Sequence, residues 1–326
     1  MKIKVSKTTG IYLALLMLFI VFSIASPVFL TFDNLITVLR QIAVLGVCAT
    51  GMTFVAISGG VDLSVGSIIS LVGITIGILN NRGVDVWVAA LLGVLLAVCA
   101  GAFNGFIVTR TNLAPMIITL GTGQILKGLS YTLSNGLPIG GLDQRLGFLG
   151  KGYVGIIPTP VIILLIVVAI GIFILKFSYF GRYFYAIGGN NEAARLQGID
   201  VKKVRLASFL LCGFFTGISA IVMLARVSSA QPGTGIGLEM DVMTAVILGG
   251  VSFAGGGGSI EGTIAGVMII GILNNGLLLI GATEHVQTMV KGIVLVLALC
   301  FEPVQNAIVN HFIKKKRMQE QLKDAE

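Results

Sequence analysis

Uninterrupted apolar stretches of about 20 residues recur along this chain and constrain its fold more than any other feature. One such stretch is long enough for a helix to cross the hydrocarbon core of a bilayer. The stretches lack the apolar–polar alternation of membrane barrel strands. Charged residues make up only 11% of the chain, against about 25% in soluble domains. The sequence therefore predicts an all-α polytopic membrane protein.

Ten transmembrane helices follow from the lengths and flanks of these stretches. The first could instead be a signal-peptide core, but its cleavage site is poor and further spans follow, so we expect an uncleaved helix. The predicted spans are about 11–28, 36–57, 62–80, 86–109, 115–133, 157–177, 204–225, 240–255, 260–280 and 287–309.

Basic residues are distributed unevenly between the two sides of this topology. With the N-terminus inside, fifteen Lys and Arg residues lie in or beside the inner segments and four beside the outer ones. Because cytoplasmic loops carry the excess of Lys and Arg, we expect both termini in the cytoplasm. The inner segments then include 178–203 and a basic tail over 310–326, and 134–155 is an ordered outer loop. Arg40, Lys127 and Lys291 fall within spans, where they can reach an interface or pair with an acidic neighbour.

Two parts of the chain share three short motifs in the same order. Residues 59–81 and 249–275 both open with GGV, contain GSI and close with GILNN. Transporter folds are often built from two related halves. We therefore predict an internal repeat within one permease domain that covers 1–326.

The inner segment 178–203 carries the local signals of a short helix. Asn190 or Asn191 can cap its start, and Glu192 falls in its first turn. Gly198 can end it in a left-handed turn. Asp200 can then cap the next span.

The sequence contains no pattern typical of an enzyme. We find no nucleophile–histidine–acid arrangement, no phosphate-binding loop and no zinc-protease motif. The four cysteines and two histidines form neither a disulfide framework nor a metal site. The net charge of +8 follows from the topology, so we expect no nucleic acid. Transport without a cofactor or metal is the function class that remains.

Asp62 is the polar residue that most needs an explanation, because a charge at mid-span costs about 2.5–3.5 kcal/mol. It stands in SGGVDLSVGSI, between apolar runs. In one interpretation, Asp62 and Ser64 cap the third span by accepting hydrogen bonds from its free backbone N–H groups. In the other, the glycines break the helix, and Asp62 and Ser64 line a path or gate.

Uncharged polar residues in or at the ends of other spans also have two interpretations. They can bind a neutral, hydroxyl-rich solute, or they can hold helices together through hydrogen bonds. Scarce charge at mid-span disfavours an ion-coupled carrier, which needs a carboxylate or histidine relay. The candidates for the path are Asn104, Gln124, Asn274 and Asn275.

Three stretches together resemble the membrane permease subunit of ribose-type bacterial ABC sugar importers. These stretches are 34–68, 180–205 and 226–281, and the resemblance extends over about 11–305. It implies the permease fold and alternating access across the bacterial inner membrane. The implied partners are two cytoplasmic ATPase subunits, a second permease copy or a sister permease, a periplasmic sugar-binding protein and membrane lipids.

The resemblance also implies that the 180–205 segment couples to the ATPase. The residues expected to dock there, around the 187–200 helix, are Gly188, Gly189, Asn190, Glu192, Ala194, Arg195 and Gly198. One departure concerns GGGGSIEG, 255–262, where relatives commonly have a GGKGRI-like run. Basic residues are absent at Gly257 and Ser259, and Glu261 is present, so any basic contact made there is in doubt.

The sequence thus predicts a permease subunit for a ribose-like monosaccharide, with ATP hydrolysed by a separate subunit. One alternative keeps the class and changes the cargo to autoinducer-2 or a nucleoside. Another is a facilitator or channel that needs no ATPase.

Overall fold

The structure is a computed structural model that describes residues 7–111 and 113–300. Residues up to 282 form one compact unit, and a second unit begins at residue 283. The described part of the second unit contains a helix over 284–300, which falls in the last predicted span. The end of that span and the basic tail over 310–326 lie outside the described residues.

Twelve helices and one short hairpin make up the described part of the first unit. The elements are α1 (Lys7–Ala25), α2 (Phe32–Ile57), α3 (Val65–Asn81), α4 (Val86–Arg110), α5 (Pro115–Ser134), α6 (Gln144–Lys151), β1 (Tyr153–Val154), β2 (Ile157–Pro158), α7 (Thr159–Phe177), α8 (Tyr179–Gly189), α9 (Asn191–Leu196), α10 (Val201–Val227), α11 (Leu238–Leu248) and α12 (Ile260–Leu279).

Five of these helices are long and apolar enough to cross a membrane: α2, α4, α7, α10 and α12. The predicted outer loop over 134–155 is ordered, and it contains α6 and β1. The five long apolar helices support a polytopic helical membrane protein.

The predicted span over 240–255 is wrong in its extent. The helix there is α11, which has 11 residues and is therefore only about 16 Å long. That is about half the hydrocarbon thickness. The helix stops because the chain turns at Gly250, whose φ is +82°, a value that glycine adopts without steric cost.

Helix α2 is central to the bundle and contacts α7, α10, α11 and α12. The largest helix contact joins α4 and α10, and glycines bring these two backbones together. A Cβ atom on Gly101 would overlap the carbonyl oxygen of Phe209, and one on Gly213 would overlap that of Ala97. Small residues in membrane helices allow this close approach.

The predicted internal repeat is not confirmed. Both α2 and α11 end in the same hydrogen-bonded turn, with Gly60 N–H donating to Val55 O and Val251 N–H to Val246 O. The residue with a left-handed conformation is the first glycine of GGV in one part, Gly59, but the second in the other, Gly250. The two turns are therefore shifted by one position relative to the shared motif. The GSI motif lies inside α3 but straddles the start of α12.

Substitution of Gly213 tests the contact between α4 and α10. We expect Gly213→Ala to lower the free energy of unfolding by about 1–3 kcal/mol, because its Cβ overlaps fixed backbone. Gly121→Ala in α5 is the matched control, since a Cβ there meets nothing within 4 Å. Thermal unfolding in detergent measures both, and equal melting temperatures would contradict the packing argument.

Candidate functional site

The chain between α2 and α3 turns back into the bundle rather than leaving it. After the turn at Gly59, the amide of Asp62 lies 3.5 Å from Sδ of Met52. Met52 is five residues before the end of α2, which corresponds to about 7 Å along the helix. Helix α3 therefore starts inside the bundle, and Asp62 is completely buried.

Asp62, Ser64 and Asn104 form one buried hydrogen-bonded cluster, which we call the Asp62 cluster. Oδ1 of Asp62 accepts hydrogen bonds from the Ser64 amide at 2.9 Å and from the Ser64 hydroxyl at 2.6 Å. Nδ2 of Asn104 donates to the Ser64 hydroxyl at 2.8 Å and to Oδ1 of Asp62 at 3.3 Å. Three of the predicted path residues therefore lie together.

All of the groups that hydrogen-bond to the Asp62 carboxylate are uncharged. Within the described part of the chain, no Lys or Arg forms an ion pair with it. The adjacent start of α3 carries a partial positive charge, which favours a carboxylate. Oδ1 of Asn104 is buried without a hydrogen-bond donor. The cluster can therefore accept a further hydrogen bond from a hydroxyl group.

The predicted cap of α3 is correct only in part. Ser64 is the residue that precedes the helix, but its side chain makes no capping hydrogen bond. Its hydroxyl donates to Asp62 instead. Asp62 accepts a hydrogen bond from the amide of Ser64, the residue just before α3. The prediction had placed this hydrogen bond on a free amide of the helix itself.

Thr119 of α5 hydrogen-bonds to the backbone of the segment between α2 and α3, which we call the re-entrant segment. Its hydroxyl accepts a hydrogen bond from the Leu63 amide at 3.1 Å and lies 3.3 Å from the Val61 carbonyl oxygen, to which it can donate. Thr119 is not among the residues predicted from the sequence. A lone threonine in an apolar helix gives no signal that separates it from an ordinary buried residue.

The start of α11 meets the start of α3. A Cβ on Gly66 would overlap both the carbonyl oxygen of Gly235 and the carboxylate of Glu239. The two helices thus begin side by side, with the start of α3 buried and the start of α11 partly exposed. In membrane transporters, helices that begin within the bilayer direct their partially positive ends towards bound solutes.

Asn274 and Asn275 lie in different polar contacts, apart from the Asp62 cluster. Asn274 donates to the buried carboxylate of Asp241 at 3.1 Å. Asn275 exchanges two side-chain hydrogen bonds with Asn34, at 2.8 and 3.1 Å, which joins α12 to α2. Gln124 is exposed on α5 and is not hydrogen-bonded to the Asp62 cluster.

Glu239 and Asp241 are further acidic candidates that the sequence analysis missed. They stand in GLEMD, directly before an apolar run, which is the same signal that selected Asp62. Asp241 is buried, and Glu239 touches the start of α3.

The inner segment confirms its predicted local structure and is longer than a single helix. Asn190 accepts a hydrogen bond from the Ala193 amide at 3.0 Å, and Glu192 falls in the first turn of α9. Gly198 has a φ of +81°. Asp200 caps α10, and the hydrogen bond from the Lys203 amide lowers the pKa of this exposed carboxyl. Helix α8 precedes α9 and was not predicted.

This segment is attached to the turn that leads to Asp62. A Cβ on Gly188 would overlap the carbonyl oxygen of Ile57. The Arg205 guanidinium donates to Ser58 O at 3.3 Å and to Oδ1 of Asn191 at 3.0 Å. Helices α8 and α9 therefore contact the end of α2, from which the re-entrant segment starts.

The residues predicted to dock on an ATPase face in two directions. Gly188 packs inward and Ala194 is buried, so neither offers a side chain for docking. Leu196 was not predicted, yet it is 85% exposed on α9. The exposed members of the predicted set are Gly189, Asn190, Glu192, Arg195 and Gly198.

The unusual Glu261 has a partner in this chain. Its carboxylate pairs with the ammonium group of Lys176, at the end of α7. Ser259 caps α12 through a hydrogen bond from the Gly262 amide at 3.1 Å. The hydroxyl of Tyr185 donates to Gly258 O at 2.8 Å. The glycine-rich run is thus fixed to α7 and α8 by the chain itself.

Comparison with known proteins identifies the relatives of this chain. Residues 34–299 match the family described as branched-chain amino acid transport system / permease component. The chain belongs to this family. The permease is 40% identical to the ribose import permease protein of Bacillus subtilis, over 93% of its own length and 95% of the relative. It is also 40% identical to the Escherichia coli ribose import permease protein, over 88% and 91% of the two chains.

A third relative carries a different sugar in its name. The L-arabinose transport system permease protein of Escherichia coli is 37% identical over 90% of this permease and 89% of the relative. No solved structure matches the permease.

A double-mutant cycle tests whether Asn34 and Asn275 hold two helices together. We expect Asn34→Ala and Asn275→Ala each to lower the melting temperature, and the double variant to lose less than the sum. The coupling should be about 0.6–1.7 kcal/mol, as for hydrogen bonds between membrane helices. Strictly additive losses in detergent unfolding would show that the amide pair is not a unit.

Proposed function

We propose that this permease is the membrane subunit of an ATP-driven importer that moves a ribose-like monosaccharide inward across the bacterial cytoplasmic membrane. The observation that carries the proposal is the 40% identity, over nearly the full length, with ribose import permeases of two bacteria. This similarity favours the importer over autoinducer-2 or nucleoside transport and over an ATPase-independent facilitator.

The interior of the bundle supports a neutral, hydroxyl-rich cargo. The Asp62 cluster presents an amide, a hydroxyl and a carboxylate, and Oδ1 of Asn104 is a free acceptor. Sugar hydroxyls both donate and accept hydrogen bonds, so they can replace such contacts one at a time. We assign the wall of the path to Asp62, Ser64, Asn104 and Asn274, with Gln124 on the exposed face of α5 and Asn275 in a supporting role.

The proposed topology has ten helices inserted in the membrane within one permease domain, of which α11 reaches about halfway across, and both termini lie in the cytoplasm. The exposed face of α9 would then dock on the ATPase, with Leu196 as its apolar anchor and Glu192 and Arg195 as its polar rim. Exposed apolar side chains within a polar rim are typical of docking sites. A second permease copy or a sister permease and a periplasmic sugar-binding protein complete the proposed assembly.

The contacts of Arg205 suggest how ATP binding reaches the path. Force on α9 would move Asn191, and Arg205 joins Asn191 to Ser58. Ser58 ends α2 and leads within four residues to Asp62. A shift of this turn would break and remake the hydrogen bonds of the Asp62 cluster, and thereby open the path alternately to each side.

Leu196→Glu tests the docking face. We expect this variant to fold and insert normally but to lose the ATPase subunit when the tagged permease is purified from its native operon. Sugar uptake by cells should then collapse. Leu137→Glu is the control, because Leu137 is 66% exposed in the loop after α5. Uptake that persists without bound ATPase would favour the facilitator.

Asp62→Asn tests the path. Asparagine keeps an oxygen for the Ser64 hydrogen bonds but removes the charge, and hydrogen bonds to charged groups contribute about 1.5–3 kcal/mol. We expect uptake to fall about tenfold or more, while the amount of assembled complex stays constant. Asp85→Asn, at the other end of α4, is the control. Normal uptake by Asp62→Asn would assign Asp62 a purely structural role.

A further inference from the structure

Three basic residues converge where α2, α6 and α10 meet, at the end of the bundle opposite α8 and α9. The Arg40 guanidinium donates to the carbonyl oxygen of Lys151 at 2.8 Å. The Lys151 ammonium donates to the hydroxyl of Ser228 at 2.7 Å. Gly150 packs directly on the backbone of Arg226, whose charge is close enough to interact with that of Arg40. We call Arg40, Lys151 and Arg226 the Arg40 cluster.

The Arg40 cluster has no anionic partner in the part of the chain that the structure describes. Its partners among the described residues are a carbonyl, a hydroxyl and an aromatic ring, and none of its members is in an ion pair there. Nε of Arg40 is buried without any acceptor. Arg40 and Arg226 are partly buried, and Lys151 is exposed beside them. Three neighbouring cations repel one another, so an anion bound between them would stabilise the structure.

The hairpin next to the cluster indicates where that anion comes from. Tyr153 of β1 lies under the Arg40 guanidinium, 4.9 Å from its ring centre. The residues that follow are apolar and exposed: Val154 is 56% exposed and Ile156 is 86% exposed. Aromatic and basic residues beside exposed apolar ones are typical of the boundary between headgroups and acyl chains. An apolar tip beside three cations complements a molecule with an anionic head and an apolar tail.

We propose that the Arg40 cluster is a binding site for the phosphate of an anionic phospholipid, whose acyl chains lie against the 153–158 hairpin. The site is separate from the Asp62 cluster, and the inference does not depend on which solute the permease carries. By the proposed topology it faces the outer leaflet. Each cation near a membrane surface contributes about a fivefold gain in affinity for anionic lipid.

The test uses the purified full-length permease in nanodiscs of phosphatidylcholine with or without phosphatidylglycerol. We expect phosphatidylglycerol to raise the melting temperature by several degrees, and native mass spectrometry to detect retained lipid. Both effects should be lost in Arg40→Gln/Arg226→Gln. Arg145→Gln is the matched control, because Arg145 also lies on α6 but is paired with Asp85 and Asp143. It should retain the lipid response.

Three outcomes would overturn the proposal. The first is an undiminished lipid response in the double variant. The second is full stabilisation by inorganic phosphate in neutral nanodiscs, which would indicate a site for a free anion. The third is insensitivity to lipid together with stabilisation by an acidic soluble partner. If the double variant does not accumulate, Lys151→Gln takes its place, with an expected loss of about fivefold in lipid affinity.

Discussion

The structure depends on satisfying the backbone of a non-helical segment that lies inside the bundle. Water is absent from the bilayer core, so free N–H and C=O groups there cost several kcal/mol each. Between α2 and α3, Gly60 donates to Val55 O, and the Leu63 amide donates to Thr119. The Ser64 amide donates to Asp62. Polar side chains therefore satisfy the backbone here, and in the proposed importer the same side chains contact the solute.

Glycines bring this segment into direct backbone contact with α8. Gly188, near the end of α8, approaches the turns at Gly59 and Gly256 so closely that a Cβ on it would overlap the Ile57 carbonyl and the Gly256 amide. The Gly256 amide also donates to the Ile57 carbonyl at 2.8 Å. Because backbone touches backbone, no flexible side chain absorbs a displacement. In the proposed importer, a movement of α8 would therefore displace the end of α2 as well.

The sequence predicted the helices better than their breaks. Apolar length located α2, α4 and α10, and capping residues located α9, because both signals are local. The depth of Asp62 and the early end of α11 depend on contacts between distant segments, such as Gly66 with Gly235. The family resemblance pointed to Asn190 and Arg195 but not to Leu196, because the sequence does not show whether a leucine is buried or exposed. Asn275 pairs with Asn34 of another helix. The sequence could not identify this partner, because it lies 241 positions away.

In the proposed importer, the charges of Asp62 and Arg205 have different roles. Asp62 is held by neutral donors and by a helix start, so in the proposed importer a neutral solute would exchange with those donors without moving a counter-ion. A carrier driven by protons or sodium would instead need titratable groups in sequence along the path. In the proposed importer, energy enters at α9 and passes through Arg205, which keeps its charge outside the Asp62 cluster. The interior can then bind its cargo weakly, which is the condition for releasing it.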